Sequence, residues 1–305
     1  MNDSGMNRRQ FFQRTGILVA GAMVTPWQDF VSAAPKGYTP DLVTLGKSGV
    51  RICRLGFGTG TNSGKVQRNL GKEGFSRLYR YAYERGITYI DTADGYGTHA
   101  FVKEAIQGIP REKLFILSKM WWSPENIKNP MAALDRYRSE LGVEYLDLLL
   151  IHCTMKPTWP EDVKPMMDAF NQAQEKKIIR LKGMSCHGLP ALRQAAKVQW
   201  ADVQLARVNP QGHIVDAESP NQPNGNMEVV SVELKAMKAM GRGILGMKLI
   251  GNGDFKKRED RVRAMQYAMH CGFVDAVTIG FASTAEVDEA LENMGAALAA
   301  KSKAA

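Results

Sequence analysis

Four polar residues follow or close apolar runs in this 305-residue chain, and together they make a proton-transfer set. Asp91 closes Tyr89-Ile90-Asp91, and Tyr96 follows it in Asp94-Gly95-Tyr96. Lys119 ends Phe115-Ile116-Leu117-Ser118-Lys119, and His152 ends Leu148-Leu149-Leu150-Ile151-His152. A tyrosine of ordinary pKa, about 10, is a poor acid near neutrality. A buried ammonium beside it stabilises the phenolate and lowers that value. A carboxylate paired to the lysine keeps the ammonium charged despite burial, and a neutral histidine donates a hydrogen bond that orients a carbonyl oxygen. Such a set is a proton donor suited to stand opposite a hydride donor. Taken singly, each residue has a plain structural use: Asp91 caps a helix, Lys119 reaches out to solvent, and His152 sits satisfied in a core. Their placement at the ends of three successive apolar runs favours the chemical reading.

Those runs belong to a regular alternation of strand-like and helix-like segments, which predicts repeated βα units. Strands are expected at Arg54–Phe57, Thr88–Asp91, Leu114–Ser118, Leu146–Ile151, Arg180–Met184, Asp202–Leu205, Gly243–Met247 and Ala276–Ile279. Several are nearly continuous apolar runs, as parallel strands buried on both faces require. Amphipathic stripes lie between them: Phe75, Leu78 and Ala82; Met227, Val230, Leu234 and Met237; Val262, Met265 and Met269; Val287, Leu291, Met294 and Leu298. Methionines on these stripes read as core filler. The fold class is therefore α/β, a (β/α)8 TIM barrel over residues 41–300, preceded by a β-hairpin from Leu42 to Cys53 that turns at Lys47-Ser48-Gly49. A barrel gathers residues from strand C-termini at one mouth, which is where Asp91, Tyr96, Lys119 and His152 would meet. The longest irregular stretch, Asn209 to Asn226, follows the sixth strand on that same side.

The composition is ordinary, with 44% hydrophobic and 23% charged residues. A net charge of +9 is spread along the chain without a basic arm, so no nucleic-acid partner is expected. The four cysteines form no CxxC pair and the five histidines no HExxH, so no metal is expected. Cys153 and Cys186 follow neighbouring strands, where they either pair or remain two buried thiols. Near the start, Arg8-Arg9 precedes Phe11 and Phe12, then an apolar stretch from Gly16 to Val24 and small residues around Ser32-Ala33. That order reads residues 1–33 as an export signal whose apolar stretch is too short to span a membrane. It resembles a twin-arginine signal, which implies the twin-arginine translocation machinery as a partner and a periplasmic or extracytoplasmic location. The alternative is an amphipathic helix retained in the cytoplasm.

From residue 41 onward the chain resembles the aldo/keto reductase family. The resemblance rests on Leu45-Gly46-Lys47-Ser48-Gly49-Val50, Leu55-Gly56-Phe57-Gly58-Thr59, Leu141-Gly142-Val143-Glu144-Tyr145-Leu146-Asp147 and the tetrad itself. It implies Tyr96 as general acid in reduction and base in oxidation, with Lys119 and Asp91 tuning it and His152 orienting the substrate. It also implies NADP(H) as favoured cofactor, with NAD(H) as the other candidate, lying across the barrel mouth without a Rossmann domain. The contacts implied are Thr59 and Gly60 after the first strand, Ser185 and Gln204 at the nicotinamide, and Met247, Lys248, Leu249 and Gly251 along the stacking and pyrophosphate segment. Gly280, Ser283 and Glu286 complete them at the last helix. Independently of the family, Ser283 and Glu286 form a capping box whose free amides suit an anion. The chain departs from the family at Cys186, where an asparagine is common, and at Met247, where a tyrosine often stacks. It departs again at Val287 and Ala290-Leu291, around the usual 2′-phosphate contacts; Lys248 or Ser283 is the expected substitute.

Three functions fit these residues. The first is an oxidoreductase acting on a small carbonyl, sugar or alcohol. The second is a sugar isomerase or epimerase that keeps its nucleotide, which suits a compartment without a nicotinamide pool. The third is a nucleotide-binding module without turnover. His187, His213, Trp121, Trp122 and Trp159 are candidates for the pocket wall or for packing between loops.

Overall fold

The computed structural model describes residues 37–219, 222 and 224–304. The expected signal at residues 1–33 lies outside them. Strands β1 (Leu42–Thr44) and β2 (Arg51–Cys53) pair antiparallel, Val43 opposite Ile52. The turn between them places Gly46 and Gly49 at positive φ, 57° and 71°, where a Cβ would clash with its own backbone. Leu45, Ile52 and Cys53 are buried in one cluster with the residues filling the barrel, so the hairpin plugs its lower end.

Eight parallel strands close the barrel: β3 (Leu55–Gly58), β4 (Tyr89–Asp91), β5 (Phe115–Trp121), β6 (Leu146–Thr154), β7 (Ile179–Cys186), β8 (Val203–Arg207), β9 (Gly243–Met247) and β10 (Ala276–Gly280). Each lies within two or three residues of its expected position at either end. β5 and β6 run past the expected stops because their mouth residues stay paired, Trp121 opposite His152. Alternation divides the side chains into two layers. Tyr89, Leu117, Leu148, Leu150, Leu181, Val203, Leu205 and Leu245 fill the interior, while Ile116, Leu149, Ile151, Met184 and Ala206 pack outward under the helices.

The outward layer is covered by amphipathic stripes. Phe75, Leu78 and Ala82 on helix Gly71–Glu84 are buried, as are Met227, Val230, Leu234 and Met237 on Met227–Ala239 and Val287, Leu291 and Met294 on Thr284–Ala304. Each buried side chain of this size stabilises the fold by about 1.5–3 kcal/mol. Val262 is half-buried beside the fully packed Met265 and Met269.

Among its described residues the stretch after β8 forms no helix, and it is held at its base by Asn209. Its side chain donates to His213 O at 2.8 Å and Lys248 O at 3.2 Å, and accepts from His213 N at 3.1 Å.

One irregularity shapes the mouth. β6 carries a bulge between Ile151 and Thr154, and Cys153 takes φ 63° within it. Thr154 thereby turns outward to Cys186, whereas Cys153 bends toward His187 at the mouth.

Candidate active site

Register explains how the tetrad assembles. Asp91 is aligned with Leu117, two residues before Lys119, so both polar side chains point inward from adjacent strands. Lys119 Nζ donates to Asp91 Oδ1, to Thr92 O at 2.9 Å and to Tyr96 OH at 3.4 Å. All three ammonium protons are used. The second oxygen of Asp91 accepts from Tyr89 OH at 3.3 Å. Lys119 is 1% exposed and Asp91 4%, so neither charge is left to water.

Tyr96 comes from one 3-10 turn, Asp94–Tyr96, directly after β4. The turn is pinned by residues that the sequence reading passes over. Asp94 Oδ1 accepts from Gly95 N at 2.6 Å, and Asp94 Oδ2 accepts from Trp121 N and Asn126 Nδ2, both at 3.3 Å, and from Tyr137 OH. Arg68 donates to the Tyr96 carbonyl. The Asp94-Gly95 pair is a turn signal that marks the site; nothing near Arg68 does. Gly60 lies under the phenol ring, where an added Cβ would stand 2.9 Å from Tyr96 OH and closer still to ring carbons. Gly60→Ala therefore shifts the ring and should lower turnover on the order of 10²-fold in a protein with unchanged circular dichroism. Full turnover by this variant would show that the ring is not held there.

The His152 ring meets Tyr96 edge-on at 5.5 Å between centroids, with Trp121 at 5.5 Å and His187 at 6.2 Å on its other sides. Burial, then Lys119 and Lys248, holds His152 well below its ordinary pKa, so it is neutral. Burial works against the Lys119 ammonium, but Asp91 and Tyr96 outweigh it and raise the pKa. For Tyr96 the balance falls the other way. Burial raises the phenol above its ordinary value, and Lys119 offsets only part of that. The expected lowering by lysine is present but smaller than the desolvation it opposes.

A groove starts at Asp91, Tyr96 and Lys119 and runs past Gly60, Met247, Lys248, Leu249 and Gly280. It continues between Phe255, Lys256 and Arg261 on one side and Phe281, Glu286 and Glu289 on the other. An added Cβ at Gly58 would stand 3.0 Å from Thr278 Oγ1, and one at Gly280 would overlap Thr61. The bare floor is what a dinucleotide needs, and the polar, apolar and cationic lining fits one. Asn252 Nδ2 donates to Asn62 Oδ1 at 2.7 Å, joining the two loops that flank the groove.

Of the other expected contacts, Lys248 and Glu286 line this groove, whereas Thr59, Ser185, Gln204, Gly251 and Ser283 do not. Thr59 is buried, its hydroxyl bonded to Thr98 at 2.8 Å. Ser185 faces inward, but its Oγ accepts from Cys153 N at 2.9 Å. Gln204 alternates with the inward Val203 and Leu205, so it points outward, donating to Leu205 O at 3.2 Å and Cys186 Sγ at 3.5 Å. Gly251 packs under Phe255 and His213. The capping box forms, Glu286 N to Ser283 Oγ at 3.3 Å, yet Glu286 Oε2 also takes Ala282 N at 2.7 Å, an amide expected to stay free. Lys248 bonds Asn252 Oδ1 at 2.7 Å close to the tetrad, away from Ser283. His213 ties its loop to Asn224 and Asp254, and Trp159 is buried against Ala191 O. Only Trp121 of the three tryptophans is exposed, at the rim. All four cysteines are free thiols. Among the described residues, no group of three His, Cys, Asp or Glu is placed to hold a metal.

Comparison with known proteins gives the same answer as the geometry. The barrel superposes on a putative aldo-keto reductase from Pseudomonas aeruginosa with a TM-score of 0.70 at 17% identity, covering 86% of this chain and 98% of that one. An aldo-keto reductase from Bacillus halodurans, solved in its holo form, gives 0.66 at 17% identity, covering 83% and 90%. A 9,11-endoperoxide prostaglandin H2 reductase from Trypanosoma cruzi is 33% identical over 162 residues, 52% of this chain. That match spans about half the relative's length, 53%. Residues 54–304 match the Aldo/keto reductase family, from the first barrel strand to the last helix, and the chain belongs to that family.

Proposed function

We propose that the protein is an NAD(P)(H)-dependent oxidoreductase that reduces an aldehyde, ketone or sugar carbonyl, or oxidises the corresponding alcohol. The observation that carries this reading is the buried chain from Asp91 through Lys119 to Tyr96 OH. When bound, the nicotinamide supplies or accepts the hydride. Tyr96 delivers the proton to the carbonyl oxygen, Lys119 stabilises the phenolate left behind, and Asp91 keeps Lys119 charged. Neutral His152 orients the substrate oxygen.

NADP(H) is the favoured partner because Lys256 and Arg261 line the outer groove, where a 2′-phosphate would lie. The Glu286 and Glu289 carboxylates on the facing wall favour NAD(H) instead, and Glu289 holds Arg261 in a two-point pair. The bond from Asn252 to Asn62 favours a second reading, an isomerase or epimerase that retains its nucleotide. Residues 1–33 are proposed to direct twin-arginine export to an extracytoplasmic compartment.

Purified protein, stripped of any bound nucleotide, should consume NADPH faster than NADH with a panel of aldehydes, ketones and sugars. Consumption of neither nucleotide with any substrate, together with release of stoichiometric nucleotide from the protein as purified, would leave the isomerase reading in its place.

A further inference from the structure

The mouth has a second charged feature opposite the lysine of the tetrad. Arg207 ends β8 two residues after the inward Leu205 and in register with Met247, so alternation turns its side chain into the mouth. Its side chain is 17% exposed. The counter-charge is Asp216, wholly buried in the loop after β8, with Oδ1 at 3.7 Å from Arg207 Nε. Neither Asp216 oxygen nor Arg207 Nε makes a hydrogen bond. Elsewhere in this molecule arginines close two-point forks on carboxylates, at 2.7 and 2.6 Å for Arg54 with Asp41 and at 2.6 and 2.7 Å for Arg261 with Glu289. Asp216 offsets the charge of Arg207 without occupying its fork.

The neighbouring histidine is also incomplete. Ser185 is in register with Leu205 on the neighbouring strand, so His187 and Arg207, each two residues further on, come to adjacent positions at the mouth, and among charged groups Arg207 acts most strongly on both His187 and Cys153. Burial keeps Cys153 a thiol, with its pKa pushed up to about 11, and its Sγ lies 2.8 Å from His187 Nδ1. If the thiol donates there, the proton of the neutral imidazole sits on Nε2. That nitrogen is buried and has no partner, and neither does Nδ1 of His152, whose ring centroid lies 6.2 Å from that of His187. An unused guanidinium fork and an unpaired ring donor thus converge beside the reacting centre.

We propose that Arg207 and His187 form a carboxylate-binding subsite, so that preferred substrates are carbonyl compounds bearing a carboxylate. The planar fork matches a carboxylate at two points. A singly charged group suits the site better than a phosphate dianion, because a single guanidinium faces it and Asp216, 3.7 Å away with its pKa pushed up by burial to about 7, already offsets part of that charge. This inference rests on the oxidoreductase reading for its substrates, but the subsite itself is testable without turnover.

The test compares 4-carboxybenzaldehyde with 4-methylbenzaldehyde, which differ little except in charge. Wild-type kcat/KM should favour the carboxylate by about tenfold or more, as expected for a charge-assisted pair. Arg207→Met should bring that ratio near one, whereas Asp216→Asn should widen it by removing the competing charge. A merely structural role would move both variants in the same direction. In parallel, calorimetry measures affinities of the two product alcohols for protein with NADP+ added, and the same ratios are expected. A wild-type ratio near one, or a preference that survives Arg207→Met, overturns the subsite. If neither aldehyde is turned over, the oxidoreductase reading fails, and the alcohol affinities still decide the subsite.

Discussion

Tyr96→Phe should lower kcat for carbonyl reduction by about 10²–10⁴-fold, the range for loss of a positioned general acid. Nucleotide affinity should change by no more than a few fold. The substitution removes one oxygen and leaves the ring over Gly60 and edge-on to His152. Single-turnover hydride transfer measures the first quantity, and fluorescence titration with NADPH the second. The pH profiles add an independent mark. Burial raises the phenol pKa above its ordinary value of 10.0. Reduction, which uses the protonated phenol, should therefore hold level from neutrality to about pH 9. Oxidation, which uses the phenolate, should climb with pH through that range. The residual oxidation by Tyr96→Phe should lack the climb. Undiminished reduction by the variant would remove Tyr96 from the chemistry altogether.

The second large effect belongs to the ion pair beneath it. Lys119→Met should destabilise the fold by about 3–5 kcal/mol, because it leaves Asp91 charged and buried. Among the described residues, the only side-chain donor then left to that carboxylate is Tyr89 OH, at 3.3 Å. Adding Asp91→Asn removes the stranded charge and should recover most of the stability. It should recover none of the turnover, because Tyr96 still lacks its ammonium. Urea unfolding of the single and double variants, read beside kcat, separates the two roles. If Lys119→Met is as stable as the wild type, the pair does not carry the burial described. If the double variant regains activity, Lys119 is not what supports the phenolate.

The barrel was legible because burial on both faces leaves its strands as short apolar runs. β6 is buried along all nine residues, and its sequence reads that way. The same property hides which face a residue takes. In Val203-Gln204-Leu205 every side chain is buried, so hydropathy alone does not reveal that Gln204 points away from the mouth. Asp91, Lys119 and His152 stood out because each interrupts an apolar run with a group that cannot be buried without a partner. Arg207 did not, since an arginine at a strand end normally reads as solvent contact. The bulge at Cys153 depends on pairing between strands that are distant in sequence, and no local signal marks it. Glu286 illustrates another gap: the capping box was visible, but not that its carboxylate would take up an amide otherwise open to an anion.

The bulge on β6 has a consequence for how this mouth changes over evolutionary time. A regular strand shows the pocket every second residue, whereas here His152 and Cys153 both reach it in succession. The wall facing the substrate is thus built by β6, β7 and β8, while the acid, its lysine and the groove floor come from β3, β4, β5, β9 and β10. The arcs meet at two seams, where His152 pairs with Trp121 and Arg207 with Met247. Substrate preference in such a barrel can drift by side-chain replacement at Cys153, His187 and Arg207 while the proton donor stays as it is.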